Sequence, residues 1–163
     1  MAAPITGHLS QQRVEEILRT FDEGARELAR DELLRHAVRT LKAEVPHYTW
    51  VGIYLLDGDE LVLHNFMGKP SPHTRIPLNQ GICGAAASQG RTVIVPDVNA
   101  DPRYLACSIE TKSEIVVPIR TGAPESGARV VGEIDIDSDT ADAFGSSDQA
   151  LLEAVAARLG EAF

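Results

Sequence analysis

The spacing of apolar residues changes at Tyr48 from the period of a helix to that of a strand, and this change constrains the fold more than any other feature. Residues 48–56, Tyr-Thr-Trp-Val-Gly-Ile-Tyr-Leu-Leu, are rich in aromatic and branched side chains, a composition typical of strands. Residues 57–59, Asp-Gly-Asp, are a turn sequence, and strand-like residues resume over 60–66. The segment predicts an antiparallel hairpin.

Apolar residues at helical spacing precede this hairpin. They predict a first helix over residues 9–22, with Gly24 just past its end, and a second helix over residues 25–43, stopped by Pro46. The two helices carry more apolar surface than one small sheet needs to cover. Either both helices pack on their own sheet, or part of their surface joins two chains in a homodimer.

The middle of the chain contains loops, short strands and one helix. Residues 68–77 are predicted as a loop because they contain three prolines, which remove hydrogen-bond donors and oppose a helix. Residues 82–89 predict a helix of small residues, and residues 92–95 predict a short strand. The ranges 114–120 and 129–137 predict a second hairpin.

A last helix is predicted near the C-terminus, with Ser146 as its cap and Gln149 in the capping-box position. Its buried side is expected to hold Leu151, Leu152, Val155, Leu159 and Phe163. Helices at both ends of an antiparallel sheet define an α+β fold. We expect residues 1–24 to form an N-terminal segment with a short helix, and residues 25–163 to form the folded domain.

Composition excludes several classes of function. The 163 residues suit one domain, and no apolar run approaches the roughly 20 residues of a membrane span. The formal charge of −9 argues against nucleic acid, whose phosphates require clustered Lys and Arg.

The N-terminus has no signal-peptide pattern, so a cytoplasmic location is expected. Cytosolic thiols are kept reduced, so the two cysteines are not expected to form a structural disulfide.

Two cysteines and three carboxylates form the candidate site. Cys83 lies on the predicted small-residue helix, where it could equally be a small buried apolar side chain. Cys107 follows a segment rich in turn formers and has no evident core role. Glu114 opens a predicted strand. Asp135 and Asp137 alternate with isoleucine, which places both carboxylates on one strand face, either in a site or facing solvent.

Ordered motifs from residue 50 onward suggest a family. They are residues 50–55 (Trp-Val-Gly-Ile-Tyr-Leu), 75–77 (Arg-Ile-Pro), 81–86 (Gly-Ile-Cys-Gly-Ala-Ala), 95–98 (Val-Pro-Asp-Val), 105–107 (Leu-Ala-Cys), 113–118 (Ser-Glu-Ile-Val-Val-Pro) and 132–138 (Gly-Glu-Ile-Asp-Ile-Asp-Ser). Together they resemble the GAF-domain family of free methionine-(R)-sulfoxide reductases, over about residue 30 to the C-terminus. The resemblance implies a GAF fold, with about six antiparallel strands flanked by helices and a small-molecule pocket under the loops.

The same resemblance implies roles for individual residues. Cys107 matches the cysteine that attacks the sulfoxide, and Cys83 matches a resolving cysteine. Trp50 and Tyr54 match aromatic residues that line the pocket. The carboxylates that hold the free amino acid and assist proton transfer are matched by Glu114, Asp135 and Asp137. The implied substrate is a free amino-acid sulfoxide, and the implied reductant is a thioredoxin-type protein.

The residue types suit this chemistry. Sulfoxide reduction needs a thiolate, a proton for the departing oxygen and a second thiol that releases this oxygen as water. An acidic pocket binds the ammonium group of a free amino acid. Crowded carboxylates cannot all stay ionised, so one is expected to hold a proton. The same crowding would raise the pKa of a nearby thiol, which His73 or Arg75 could offset.

Two other functions stay open at this point. Where the family has its first cysteine, the chain has His73. An imidazole and two thiolates, from His73, Cys83 and Cys107, suit Cu(I), Zn²⁺ or Fe²⁺. The other alternative is a sensor that binds a small ligand without turnover. For the reductase, no metal or other cofactor is expected.

Overall fold

The computed structural model describes residues 9–104, 110–122 and 128–163. In these ranges, four helices and six strands position the site. The helices are α1 (Gln11–Ala25), α2 (Arg30–Glu44), α3 (Gly81–Gln89) and α4 (Ser146–Gly160), and the strands are β1 (Trp50–Asp57), β2 (Glu60–Met67), β3 (Arg75–Pro77), β4 (Val93–Val95), β5 (Ser113–Thr121) and β6 (Arg129–Ser138). Among the described residues, no helix is both long and apolar enough to cross a membrane.

The described strands form one sheet in the order β3-β2-β1-β6-β5-β4, and every neighbouring pair is antiparallel. Both predicted hairpins, β1–β2 and β5–β6, are confirmed. β6 lies in the middle of the sheet between β1 and β5. The predicted α+β class with six antiparallel strands is therefore confirmed.

The two faces of the sheet have different coverings. On one face, β6 contributes Ile134 and Ile136 to a core that also contains the apolar residues of α1, α2 and α4. The opposite face packs against α3 in a smaller cluster that includes Trp50, Tyr54 and Cys83. Because side chains alternate along a strand, residues 133, 135 and 137 point to this second face.

The N-terminal helices depart from their predicted ends. α1 runs to Ala25 and includes Gly24. A Cβ at Gly24 would lie 2.3 Å from the ring of His36. The glycine therefore permits close packing and does not end the helix. α2 begins at Arg30, not at residue 25, after Glu27 adopts a positive φ of 64°. The apolar residues of both helices pack in the core of the same chain, as the first of the two predicted alternatives requires.

Two further predictions were wrong. Residues 75–77 are not loop but form β3, which pairs with Glu60, Leu61 and Val62 of β2. α4 is capped at Gly145, and Asp148 accepts a hydrogen bond from the Gly145 amide at 2.9 Å, so Ser146 and Gln149 are not the capping pair. The predicted apolar side of α4 is confirmed, with four residues buried and Phe163 packed beside them.

Candidate functional site

The central strand β6 carries three buried carboxyl groups on one face of the sheet. Glu133, Asp135 and Asp137 are 0%, 4% and 3% exposed. Asp137 pairs with Trp50 of β1 on one side and with Glu114 of β5 on the other. Directly opposed residues of an antiparallel pair share a face, so the carboxyl of Glu114 joins this acidic row.

Helix α3 brings Cys83 over the acidic row. Gly81 begins the helix with a φ of +71°, a conformation that favours glycine. A Cβ on Gly84 would lie 2.8 Å from the carbonyl oxygen of Leu78, so only glycine permits this close approach of the helix to the preceding loop. Cys83 is 5% exposed as a result.

A small cavity separates Cys83 from the sheet. Its volume is about 20 Å³, enough for one water molecule. Its wall includes Tyr54, His73, Cys83, Glu114 and Asp135. The Cys83 sulfur and one carboxylate oxygen each from Glu114 and Asp135 lie within 4.8 Å of one another. A thiol and two acids thus meet at one point.

Hydrogen bonds from two aromatic residues fix the loop between β2 and β3. The Tyr54 hydroxyl donates to the carbonyl oxygen of His73 at 2.7 Å. The Trp50 indole nitrogen donates to the carbonyl oxygen of Lys69 at 2.9 Å. Since both aromatic side chains arise from β1, the loop is held at a defined position beside the acidic row.

Asp137 also lines a second, larger cavity. It has a volume of about 330 Å³ and is lined by Trp50, Thr111, Lys42 and Asp137 together with the loop residues from Gly68 to Ser71. Gly52 gives the Trp50 ring its place, because a Cβ at Gly52 would lie 2.3 Å from the ring. The predicted aromatic wall residues therefore divide between the cavities, with Tyr54 in the smaller and Trp50 in the larger.

Burial controls the ionisation of the acidic row. Burial raises the pKa of Asp135, while hydrogen bonds from Glu114 and Cys83 partly oppose the shift. Burial and the neighbouring charge of Asp135 hold the pKa of Asp137 well above its ordinary value. Raised values mean that these acids keep protons to higher pH than free side chains do, so they can donate one to a bound oxygen.

Glu133 is a site residue that sequence reasoning missed. Neither of its oxygens accepts a hydrogen bond in ordinary geometry from the described residues. Burial raises the pKa of Glu133 well above its ordinary value. A hydrogen bond with the Cys83 thiol partly opposes this shift, and the charge of Asp135 adds to it. The signal was present in the sequence, because the alternation that relates Asp135 to Asp137 also includes residue 133.

The Cys83 thiol is held in its protonated form. Burial raises its pKa well above the ordinary value, and the charges of Asp135, Glu133 and Glu114 add to the shift. Arg75 is exposed on β3 and 3.8 Å from Glu60, and it is not among the residues that line the small cavity. A buried thiol of this kind is a poor first nucleophile, since the thiolate is the reactive species.

The structure brings together Cys83, Glu114, Asp135, Tyr54 and His73 around the small cavity. Asp137 and Trp50 lie beside them and line the larger cavity. The remaining predicted residue, Cys107, lies outside the described residues. The antiparallel sheet, its helices and the cavity enclosed under α3 define an α+β domain of the GAF type.

Comparisons with known proteins agree with this class. The GAF domain family model matches residues 29–163. The GAF domain-containing protein A of Dictyostelium discoideum is 42% identical over 107 residues, which are 65% of this chain and 64% of that protein. The free methionine-R-sulfoxide reductase of Saccharomyces cerevisiae is 39% identical over 127 residues, which are 76% of this chain and 66% of that protein. The chain thus spans slightly less than two thirds of either relative.

A solved structure covers more of the fold. Free methionine-R-sulfoxide reductase from Neisseria meningitidis, in complex with its substrate, superposes with a TM-score of 0.84 at 34% identity, over 100% of this chain and 96% of that one. The chain belongs to the GAF-domain family of the free methionine-R-sulfoxide reductases.

Proposed function

We propose that this protein reduces free methionine-(R)-sulfoxide to methionine. The observation that carries the proposal is that a thiol and two carboxyl groups lie within 4.8 Å of one another under α3. Relatives of this chain that are named free methionine-R-sulfoxide reductase support it. The larger cavity, with Trp50 on its wall, supplies space for the substrate beside this cluster.

The reaction is proposed to begin at Cys107. Its thiolate attacks the sulfoxide, and a proton passes from the acidic row to the sulfoxide oxygen. The S–O bond of the substrate then breaks as the oxygen is transferred, as hydroxyl, to the Cys107 sulfur, and methionine departs. Cys107 is then a sulfenic acid. Asp137 and Asp135 are suited to hold that proton, because burial raises the pKa of both.

Cys83 is proposed to resolve the sulfenic acid. Its sulfur attacks the Cys107 sulfur, the thiol proton leaves with the hydroxyl as water, and a disulfide forms. A thioredoxin-type dithiol then reduces the disulfide by exchange. The raised pKa of the Cys83 thiol suits this second role, because the residue stays protonated until the sulfenic acid is present. This cycle uses two thiols, with His73 in place of a third.

The substrate is proposed to be held by its ammonium group. Of Glu114, Asp135 and Asp137, those that do not hold the reaction proton offer carboxylates with little solvent around them, where attraction to a cation is stronger than in water. A residue within a peptide has no free ammonium group, so this contact selects the free amino acid.

The test is turnover with a thioredoxin-type reductant. Wild-type protein should consume methionine-(R)-sulfoxide, and Cys107→Ser should not. Cys83→Ser should oxidise once, leaving a trapped sulfenic acid that a dimedone-type probe labels, but should not sustain turnover. The S epimer and a methionine sulfoxide within a peptide serve as controls. No turnover by the wild type, with Cys107 reduced, would contradict the proposal, and ligand binding without turnover would then support a sensor.

Location and assembly follow from the same proposal. Disulfide reduction by a thioredoxin-type partner requires a reducing compartment, which supports a cytoplasmic protein. The homodimer through α1 and α2 stays a prediction. Light scattering at several protein concentrations tests it, and a mass of one chain throughout would contradict it.

A further inference from the structure

The small cavity under α3 is lined by side chains of the types that bind metal ions. Its three donor groups, Cys83, Glu114 and Asp135, are all buried, and their donor atoms lie within 4.8 Å of one another. One Asp135 oxygen, Oδ1, accepts no hydrogen bond from the described residues although its side chain is almost fully buried. Such an atom is costly unless something pairs with it. The cavity volume of about 20 Å³ fits one water molecule or one ion.

The donor types select the class of ion. One thiolate with two carboxylates suits a borderline divalent cation such as Zn²⁺, whereas Mg²⁺ and Ca²⁺ prefer oxygen alone. Zinc binds sulfur at about 2.3 Å and oxygen at about 2.0 to 2.2 Å, so tetrahedral donors are roughly 3.3 to 3.8 Å apart. Separations of up to 4.8 Å would therefore close by as much as about 1 to 1.5 Å when the ion binds.

The wall of the cavity favours a cation. No Lys or Arg is among the described residues that line it, so no fixed side-chain cation there competes with an ion for the two carboxylates. His73 lines the same cavity and offers an imidazole, the other common zinc donor.

We propose that Cys83, Glu114 and Asp135 bind one divalent cation of the zinc class. On binding, the Cys83 sulfur forms a bond to the metal and its proton passes to solvent. This donor set differs from the one expected from sequence, because it uses two carboxylates and does not need Cys107.

Bound zinc would switch off the reductase, a consequence that depends on the proposed function. The ion engages the thiol that resolves the sulfenic acid and two of the carboxylates that hold the substrate. Substrate and zinc therefore exclude each other, and a chelator restores turnover.

Binding is tested without any assay of turnover. Chelator-treated, reduced full-length protein is titrated with Co²⁺, a spectroscopic substitute for zinc. We expect one equivalent to bind and to produce a thiolate-to-cobalt charge-transfer band, which Zn²⁺ abolishes. Cys83→Ser should remove the band. Asp135→Asn keeps the thiol, so the band should persist with affinity lowered at least about tenfold. Circular dichroism establishes that each variant is folded.

A surface pair provides the matched control. His64 lies 3.0 Å from Asp31 near the surface, where a weak adventitious site could form, and His64→Gln should leave the band and its affinity unchanged. The proposal is overturned if no band forms, if the band survives Cys83→Ser, or if folded Asp135→Asn binds as tightly as the wild type. Turnover is measured separately, so an inactive protein that binds Co²⁺ in this manner contradicts the reductase and supports the metal site.

Discussion

Replacing Glu133 with glutamine tests whether the fold holds this carboxyl in its neutral form. Glu133 is fully buried, and neither oxygen accepts a hydrogen bond in ordinary geometry from the described part of the chain. Burial holds its pKa well above its ordinary value of 4.5. Glutamine has nearly the same shape and cannot ionise, so the substitution removes the titration while preserving the packing.

The sign of the effect follows from proton binding. Above about pH 4.5 the unfolded chain loses the Glu133 proton, but the folded chain keeps it until the pH reaches the raised pKa. The folded state then binds more protons, so the free energy of unfolding falls as pH rises, at about 1.4 kcal/mol per pH unit for one group. The stabilisation is fully present below the unfolded pKa and is lost as pH rises toward the folded one.

Urea unfolding followed by the fluorescence of Trp50, the single tryptophan, measures the difference. Between about pH 5 and pH 6, in buffer with a chelator, the wild type should lose up to about 1.4 kcal/mol more than Glu133→Gln. Asp135 and Asp137 titrate in both proteins, so their contributions largely cancel in the difference. Glu161→Gln, at an exposed position, is the control and should show the slope of the wild type. Equal slopes for the wild type and Glu133→Gln would mean that Glu133 is ionised in the folded protein, and would refute the reasoning.

Four more substitutions test individual contacts in the fold. Tyr48→Phe removes a hydroxyl that donates to buried Asp148 at 2.7 Å, and it should lower the free energy of unfolding in urea by about 1 kcal/mol. Asp148→Ala leaves several donors unpaired and should lower it by about 3 kcal/mol. Equal losses for the two variants would contradict this account. The Cβ of Gly52→Ala would lie 2.3 Å from the Trp50 ring and should displace it, so tryptophan emission should shift and KM should rise. Emission identical to that of the wild type would contradict this prediction. Ser10→Ala removes the cap of α1 and should cost about 1 kcal/mol, with no change in KM.

Part of the site could be predicted because it depends on local geometry. The alternation of isoleucine and aspartate fixed Asp135 and Asp137 on one face of a strand, and the structure has them so. The hairpins could likewise be predicted, since turn residues and strand composition determine the local backbone conformation over a few positions. By contrast, residues 75–77 contain a proline and read as loop, and only the neighbouring strand β2 gave them a pairing partner.

Local patterns in the sequence were enough to predict an α+β fold with an antiparallel sheet, its flanking helices and the acidic residues that share a strand face, because backbone periodicity is a local property. Which helix covers each face of the sheet depends on tertiary packing. The close approach of α3 at Gly84 places Cys83 over β6. As a result, Glu133 is a buried acid beside a thiol. Burial depends on contacts between segments about 50 residues apart, and no local pattern encodes those contacts.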